Sequence, residues 1–229
     1  LIFSSYRETS DILFPKILHL YVPVGAKVAD VTYGKGTFWK NVPESAYDLK
    51  ASDIEDGVDC RDLPYKPETF DCVVFDPPYM HTPGGTAHKN HQNYEDYYKN
   101  NRADNGTGRK YHGAVLDLYF AGAKEAKRIL DEPGVLIVKC ADEVCANQQR
   151  LTHVEVINAL EEMGFITEDL FVMVRPNRPG VSYAKRQIHA RKNHSYFMVL
   201  RKPRRKRWKG LDPNEQLLSQ YPWLREKTG

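Results

Sequence analysis

Two short segments of this 229-residue chain carry residue types whose spacing suits chemistry on a small ligand. The first is Asp76-Pro77-Pro78-Tyr79, directly after the apolar run Phe70–Phe75. A carboxylate at a strand end, two prolines that freeze the next stretch of backbone, and an aromatic ring make a rigid platform. Asp76 and the Pro77 carbonyl can accept hydrogen bonds from a planar amino group, and Tyr79 can stack on the ring that bears the amine. The second is Asp30-Val31-Thr32-Tyr33-Gly34-Lys35-Gly36-Thr37, at the end of a strand and the start of a helix beginning at Thr37-Phe38-Trp39. Glycine lets backbone approach a ligand closely, and a helix start favours negative charge. The segment lacks G-x-x-x-x-G-K-[ST], so it is not a phosphate-binding P-loop. The triplet His81, His88, His91 superficially suggests a metal site, but it has no nearby cysteine and no helix to gather its ligands on one face, so no metal is expected.

The elements that must position these segments alternate. Strands are expected at Lys27–Val31, Ala46–Ala51, Gly57–Cys60, Phe70–Phe75, Val135–Cys140, Leu170–Val174 and Ser195–Leu200. Helical spacing runs from Val115 to Leu130, stopping before Pro133-Gly134, and from Thr152 to Met163, closed by Gly164. Strands separated by helices imply a mostly parallel sheet covered on both faces, with ligands bound beyond the carboxyl ends of its strands. The last two strands have only a polar loop between them, so the final one should run antiparallel. Residues 80–112 form a long polar stretch rich in Gly, Asn, His and Tyr, a length that inside a compact domain is normally either functional or a disordered insertion. It reads as a lid or target-recognition insertion.

Composition sets the outer bounds. With 41% hydrophobic and 28% charged residues, the chain can bury one sizeable core without disulfides. No apolar run approaches the roughly 18 residues that span a bilayer, so no membrane partner is expected. The four cysteines form no C-x-x-C pair and no stretch reads as a signal peptide, so the expectation is a reducing, cytoplasmic setting. Net charge is +3, yet Arg175–Lys209 holds thirteen Lys or Arg and no acid, leaving 20 basic against 30 acidic residues elsewhere. One strongly positive segment on an acidic body suggests a polyanion-binding face.

The combination of Asp30, Gly34, Gly36 and Thr37 with Asp76-Pro77-Pro78-Tyr79 resembles the S-adenosylmethionine-dependent DNA amino-methyltransferases. The ending Asn193–Lys202 also looks like their terminal strand, and the likeness covers roughly residues 8 to 202. It implies an α/β fold, a Rossmann-like seven-stranded, mostly parallel sheet with an antiparallel last strand and helices on both faces. Residues 1–202 would then be the catalytic domain, and 203–229 a basic C-terminal arm. The implied activity is methyl transfer from S-adenosylmethionine to the exocyclic N6 amine of adenine in a flipped DNA base, leaving S-adenosylhomocysteine. Adenine is favoured because Asp rather than Ser heads the motif, though the cytosine-N4 enzymes overlap. The nearest alternative is an RNA amino-methyltransferase; another is a catalytically silent nucleic-acid-binding subunit. A protein-glutamine methyltransferase fits less well, because those usually carry Asn where Asp76 stands.

The resemblance also implies residue roles. Asp76, Pro77, Pro78 and Tyr79 would be catalytic. Asp30, Thr32, Gly34, Gly36, Thr37 and Phe38 would bind the cofactor, helped by Thr9, Ser10 and Asp11 from the segment before the first strand. Its ribose hydroxyls would meet Asp48 or Asp53, the latter 17 residues beyond Gly36, and its adenine would lie near Asp59 or Asp62. Two positions depart from the family: it usually has Phe where Thr32 stands and a small residue where Tyr33 stands, so Phe38 or Trp39 would have to supply the methionine-side contact. Nucleic-acid phosphates would be met by Lys89, Arg102, Arg109 and Lys110 in the long loop. Arg175, Arg178, Lys185, Arg186, Arg191, Lys192, Arg204, Arg205 and Arg207 of the basic segment would hold the backbone. With no separate recognition domain, a short target sequence or a partner subunit is expected. A bacterial or phage origin, with a restriction-modification role, follows by the same family analogy.

Overall fold

The computed structural model describes residues 1–79, 112–176 and 187–204. In chain order these form β1 (Ser5–Tyr6), α1 (Ser10–Tyr21), β2 (Lys27–Asp30), β3 (Asp48–Ala51), β4 (Phe70–Phe75), α2 (His112–Ile129) and β5 (Leu130–Cys140). There follow β6 (Glu143–Cys145), β7 (Gln148–Arg150), α3 (Thr152–Glu162), β8 (Ile166–Val174) and β9 (His194–Lys202). One seven-stranded sheet has the order β1-β8-β9-β5-β4-β2-β3, and β6 and β7 form a separate hairpin. Only β9 runs antiparallel to its sheet neighbours, β5 and β8. The remaining pairs are parallel. The expected sheet type, with its antiparallel last strand and helices on both faces, is the observed one.

Strand alternation sorts the core into two layers. Val73 and Phe75 of β4 and Leu136 and Val138 of β5 point to the side covered by α2 and α3. Val28, Cys72, Val74, Val135 and Ile137 point to the other side, under α1 and a 3-10 turn at Thr37–Trp39. There Phe14, fully buried, packs its ring 4.9 Å from Phe38 and 5.2 Å from Trp39. Burial of a side chain that size contributes on the order of 2 kcal/mol. Pro15 lies inside α1 and leaves the Asp11 carbonyl without its helical donor. The Asn41 side-chain amide donates to that carbonyl instead, at 2.9 Å, tying the start of α1 to the turn after β2.

Three local expectations are corrected. Gly57–Cys60 is not a strand; the seventh strand is Ser5–Tyr6 at the opposite edge. The reason is competition from side chains: Asp53 accepts from the Glu55 N–H and Asp59 from the Arg61 N–H, bending the chain into turns. Thr37-Phe38-Trp39 makes a single 3-10 turn rather than opening a long helix. Helix α2 begins at His112, inside the stretch read as loop.

Candidate active site

The register of the parallel strands brings the chemistry together. Val74 pairs with Ile137, so two residues further on Asp76 and Lys139 emerge side by side. Asp30 of β2 pairs with Val74 and shares their face, under the Thr37–Trp39 turn. All three lie at the carboxyl ends of their strands, the end where open α/β sheets bind ligands.

Asp30 is 2% exposed and fully engaged in shaping the turn after β2. It accepts from the Thr32 N–H at 3.1 Å and from the Trp39 indole N–H at 2.7 Å. Burial, with no cation to oppose it, pushes its carboxyl up to about 7; the Asp76 and Asp53 charges add to the rise and the two donors oppose it. Thr32 then reaches across to β4, its hydroxyl accepting the Asp76 N–H at 2.7 Å. The phenylalanine usual in the resembling family could not make that bond, so the departure at this position has a structural use. At Gly36, φ is +64°, and an added Cβ would lie 2.5 Å from the Tyr33 hydroxyl. The Tyr33 ring thus occupies the space a side chain would need.

Gly34, at φ +50°, donates its N–H to Asp53 Oδ2 at 2.9 Å, which places Asp53 at the lip of the glycine turn. Each carboxylate oxygen of Asp53 takes one backbone donor and keeps lone pairs for a further hydroxyl. Asp48 is exposed and pairs with Lys27 at the amino end of β2, the far end of the sheet from Asp76. Asp59 is bound at 2.6 Å to the Arg61 guanidinium; burial works to raise its carboxyl, but the Arg61 bonds and charge outweigh it and hold it below the usual range. Asp62 is exposed. Thr9, Ser10 and Asp11 stand at the start of α1, with Thr9 as its N-cap. Ser10 donates to the Met173 sulfur near the carboxyl end of β8, so this segment borders the same crevice.

Asp76 faces a cation that sequence reading missed. Lys139 Nζ lies 3.1 Å from Asp76 Oδ2 and 3.4 Å from Oδ1. It also sits 5.3 Å from the ring centre of Phe38, 5.8 Å from that of Tyr79 and 5.9 Å from that of Phe197. Burial raises the Asp76 carboxyl above its ordinary range, and the Lys139 charge and hydrogen bond pull against that rise. Helix α2 pins the backbone here, Tyr119 donating its hydroxyl to the Lys139 carbonyl at 2.8 Å. The signal was available: Val135, Ile137 and Lys139 share one parity, so a lysine stands where the strand pattern demands a core residue. Pro77 is buried, Pro78 and Tyr79 are half-buried, and the Arg175 guanidinium donates to the Tyr79 hydroxyl at 2.6 Å. Among the described residues no donor reaches the Pro77 carbonyl.

The rim beyond β5 is rich in histidine–carboxylate pairs that the sequence did not announce. His112 lies between Glu143 at 2.8 Å and Glu155 at 3.0 Å, and His153 meets Asp142 at 2.7 Å while stacking on Tyr196. Of the expected phosphate contacts, Arg175, Arg191 and Lys192 flank this end of the sheet. Arg204 lies beyond the other end of β9, nine residues or roughly 30 Å away. It lines a separate basic cleft of about 580 Å3 with Lys124, Lys127, Arg128 and Lys202. The basic segment is therefore split between the two ends of the molecule. Lys89, Arg102, Arg109, Lys110, Arg178, Lys185, Arg186, Arg205 and Arg207, with most of the 80–112 loop and of the 203–229 arm, lie outside the described residues.

No protein-family model matches the sequence, and no curated protein matches it. Solved structures do match in shape. A 1,6-didemethyltoxoflavin-N1-methyltransferase from Burkholderia thailandensis, with 1,6-didemethyltoxoflavin and S-adenosylhomocysteine bound, aligns at a TM-score of 0.54. Identity is 15% over 86% of this chain and 79% of that one. TrmN from Thermus thermophilus aligns at 0.50 and 15% identity over 85% of this chain. The chain shares the fold of these two solved structures. This chain covers only 50% of the TrmN chain. Among the described residues, no helix is long and apolar enough to cross a membrane, and no group of three metal-ligating side chains is gathered.

Proposed function

We propose that this protein uses S-adenosylmethionine to methylate the exocyclic N6 amine of an adenine extruded from DNA. The observation that carries the reading is the platform at the end of β4: a half-buried carboxylate, a Pro77 carbonyl that no donor among the described residues reaches, and a half-buried tyrosine ring, hydrogen-bonded through Thr32 to the glycine turn of β2.

The residues of that turn fit the cofactor. Gly34 is exposed and leaves its backbone bare, with only an Asp53 oxygen at 3.9 Å near an added Cβ among the described residues; Gly36 packs under the Tyr33 ring, and Asp53 retains acceptor capacity for a vicinal diol. Asp30 and Thr37 shape the same turn, and Phe38 lies on the Lys139 side of it. When bound, S-adenosylmethionine supplies a sulfonium-activated methyl group. The chain's own work is alignment and electrostatics. An aromatic amine is a poor nucleophile because its lone pair is delocalised into the ring. Asp76 and the Pro77 carbonyl would accept its two N–H groups, favouring the geometry that frees the lone pair and stabilising the positive charge that develops on nitrogen. Pro78 fixes the backbone, and Tyr79, steadied by Arg175, presents a face for the base. No covalent intermediate on the protein is required. Arg175, Arg191 and Lys192 flank the crevice where the nucleic-acid backbone would run.

The test is transfer of tritiated methyl from S-adenosylmethionine to unmethylated duplex DNA and to total RNA in parallel, with products digested and identified as nucleosides. Label in N6-methyldeoxyadenosine is the expected result. Label in N4-methyldeoxycytidine would correct the base, label confined to RNA would move the substrate, and no label with the cofactor bound would overturn the reading.

A further inference from the structure

Lys139 has more hydrogen-bond donors than the described residues around it satisfy. Its side chain is only 10% exposed, and an ammonium carries three N–H groups. Among the described residues, the only acceptors it reaches are the two oxygens of Asp76. The rings of Phe38, Tyr79 and Phe197 also lie against it. Such rings stabilise the charge but take no strong directed hydrogen bond. A buried ammonium with unmet donors is costly, and a hydrophobic residue on this strand would pack there at no such cost. A lysine at the mouth of a ligand crevice, with donors to spare, points to an acceptor on the ligand.

The identity of that acceptor follows from its neighbour. Strand register holds Lys139, a donor, next to Asp76, an acceptor. On the reading that Asp76 takes the target amine, the atom that falls to Lys139 lies beside that amine on the same ring. We infer that Asp76 and Lys139 together read an amidine edge, with Asp76 accepting from the exocyclic amine and Lys139 donating to the unprotonated ring nitrogen one carbon away. Adenine presents this edge with N6 and N1, and cytosine with N4 and N3. An alkyl amine has no such nitrogen and would leave Lys139 unmet. The edge is the one used in Watson–Crick pairing, so it becomes available only on a base that has left its partner. The carboxylate and ammonium sum to zero charge, which suits a neutral base.

The experiment substitutes single atoms of the substrate. The target adenine of the duplex methylated by the wild-type protein is replaced by 1-deazaadenine, which lacks the ring nitrogen assigned to Lys139, or by 7-deazaadenine, which lacks the one on the opposite side of the amine. Both keep the amine. The expected result is a fall in kcat/KM of about ten- to hundredfold for the 1-deaza substrate and a change within about threefold for the 7-deaza one. Lys139→Met should be slow on adenine and should lose the extra penalty on 1-deazaadenine, since its side chain no longer donates. The wild-type comparison stands alone if that variant fails to fold. If cytosine is the methylated base, 3-deazacytosine takes the place of 1-deazaadenine. Equal rates on adenine and 1-deazaadenine would overturn the inference while leaving the methyltransferase reading intact. So would a Lys139→Met protein that still discriminates the analogues and instead binds S-adenosylmethionine more weakly, because the donor would then belong to the cofactor's carboxylate. Absence of methylation on the parent nucleic acids takes down both.

Discussion

Asp30 and Asp76 stand on adjacent parallel strands, on the same face, and burial raises both carboxyls. Their partners differ. Asp30 is met only by neutral donors, the Thr32 N–H and the Trp39 indole, both from its own turn. Asp76 faces the Lys139 ammonium from another strand and, among the described residues, has no neutral donor on its carboxylate. A carboxylate satisfied by the backbone and indole of its own loop is a fastener. One balanced by a lysine from another strand, set among aromatic rings, is placed to meet a ligand in the proposed reaction. On the proposed function, two identical side chains at equivalent strand ends serve as scaffold and as working group, and the neighbours decide which.

The largest expected effect is at Asp76. Asp76→Ala should reduce methyl transfer by at least about a thousandfold while leaving S-adenosylmethionine affinity nearly unchanged. It also strands Lys139 as a buried unpaired charge, which costs about 3–5 kcal/mol of stability. Adding Lys139→Met should restore much of that stability and none of the activity, as followed by thermal melts and the tritium assay. Near wild-type turnover in Asp76→Ala would erase the distinction between the two carboxylates.

Asp30 should declare itself through pH rather than turnover. Its folded pKa, about 7, lies above the 3.8 of the free side chain, so the fold prefers the protonated form. Below about pH 4 both states hold the proton and the contribution is complete. Between about pH 4 and 7 the fold keeps a proton the unfolded chain has released, and stability falls as pH rises, by roughly 4 kcal/mol across the window. Asp30→Asn removes the titration. The difference in denaturation midpoint between wild type and variant should therefore shift steadily against wild type from pH 4 to 7 and level off above. A flat difference would mean that Asp30 titrates near its ordinary value.

What could be read in advance followed from how local each feature is. The buried runs Phe70–Phe75 and Val135–Cys140 announce strands without help, and Asp76-Pro77-Pro78-Tyr79 announces a site because its four residues are contiguous. Asp53 was named but not separable from Asp48, since only the register of β2 with β3 puts one at the crevice and the other at the opposite end. Lys139 was hidden because its role needs a partner 63 residues away, supplied by strand pairing. The β6–β7 hairpin escaped notice for another reason: its turn puts Ala146 and Asn147 at φ of +51° and +57°, positions where glycine would have flagged it. The expected strand at Gly57–Cys60 lost to the Asp53 and Asp59 side chains, a competition that propensity alone does not weigh.

The glycine turn allows a smaller, sharper test of the scaffold half. Gly36→Ala places a Cβ against the Tyr33 ring at a left-handed φ, and should cost about 2–3 kcal/mol. In a Tyr33→Ala background the same change should cost only about 1 kcal/mol, the backbone term alone. Equal costs in both backgrounds would show that the ring yields freely and does not define the turn.

Thr32 joins the two halves, and its hydroxyl makes the finest distinction. It accepts the Asp76 N–H at 2.7 Å, while its own N–H is held by Asp30. Thr32→Val keeps the shape and leaves the Asp76 N–H without an acceptor, a loss of about 1–2 kcal/mol. If that bond also aims the Asp76 carboxylate, kcat should drop roughly tenfold with little change in cofactor affinity, since the error falls on alignment rather than on binding. Thr32→Ser retains the hydroxyl and should recover most of both losses. A Thr32→Val protein that is destabilised yet turns over normally would show that the hydroxyl only ties β2 to β4, and that the aim of Asp76 is set by Lys139 and the two prolines.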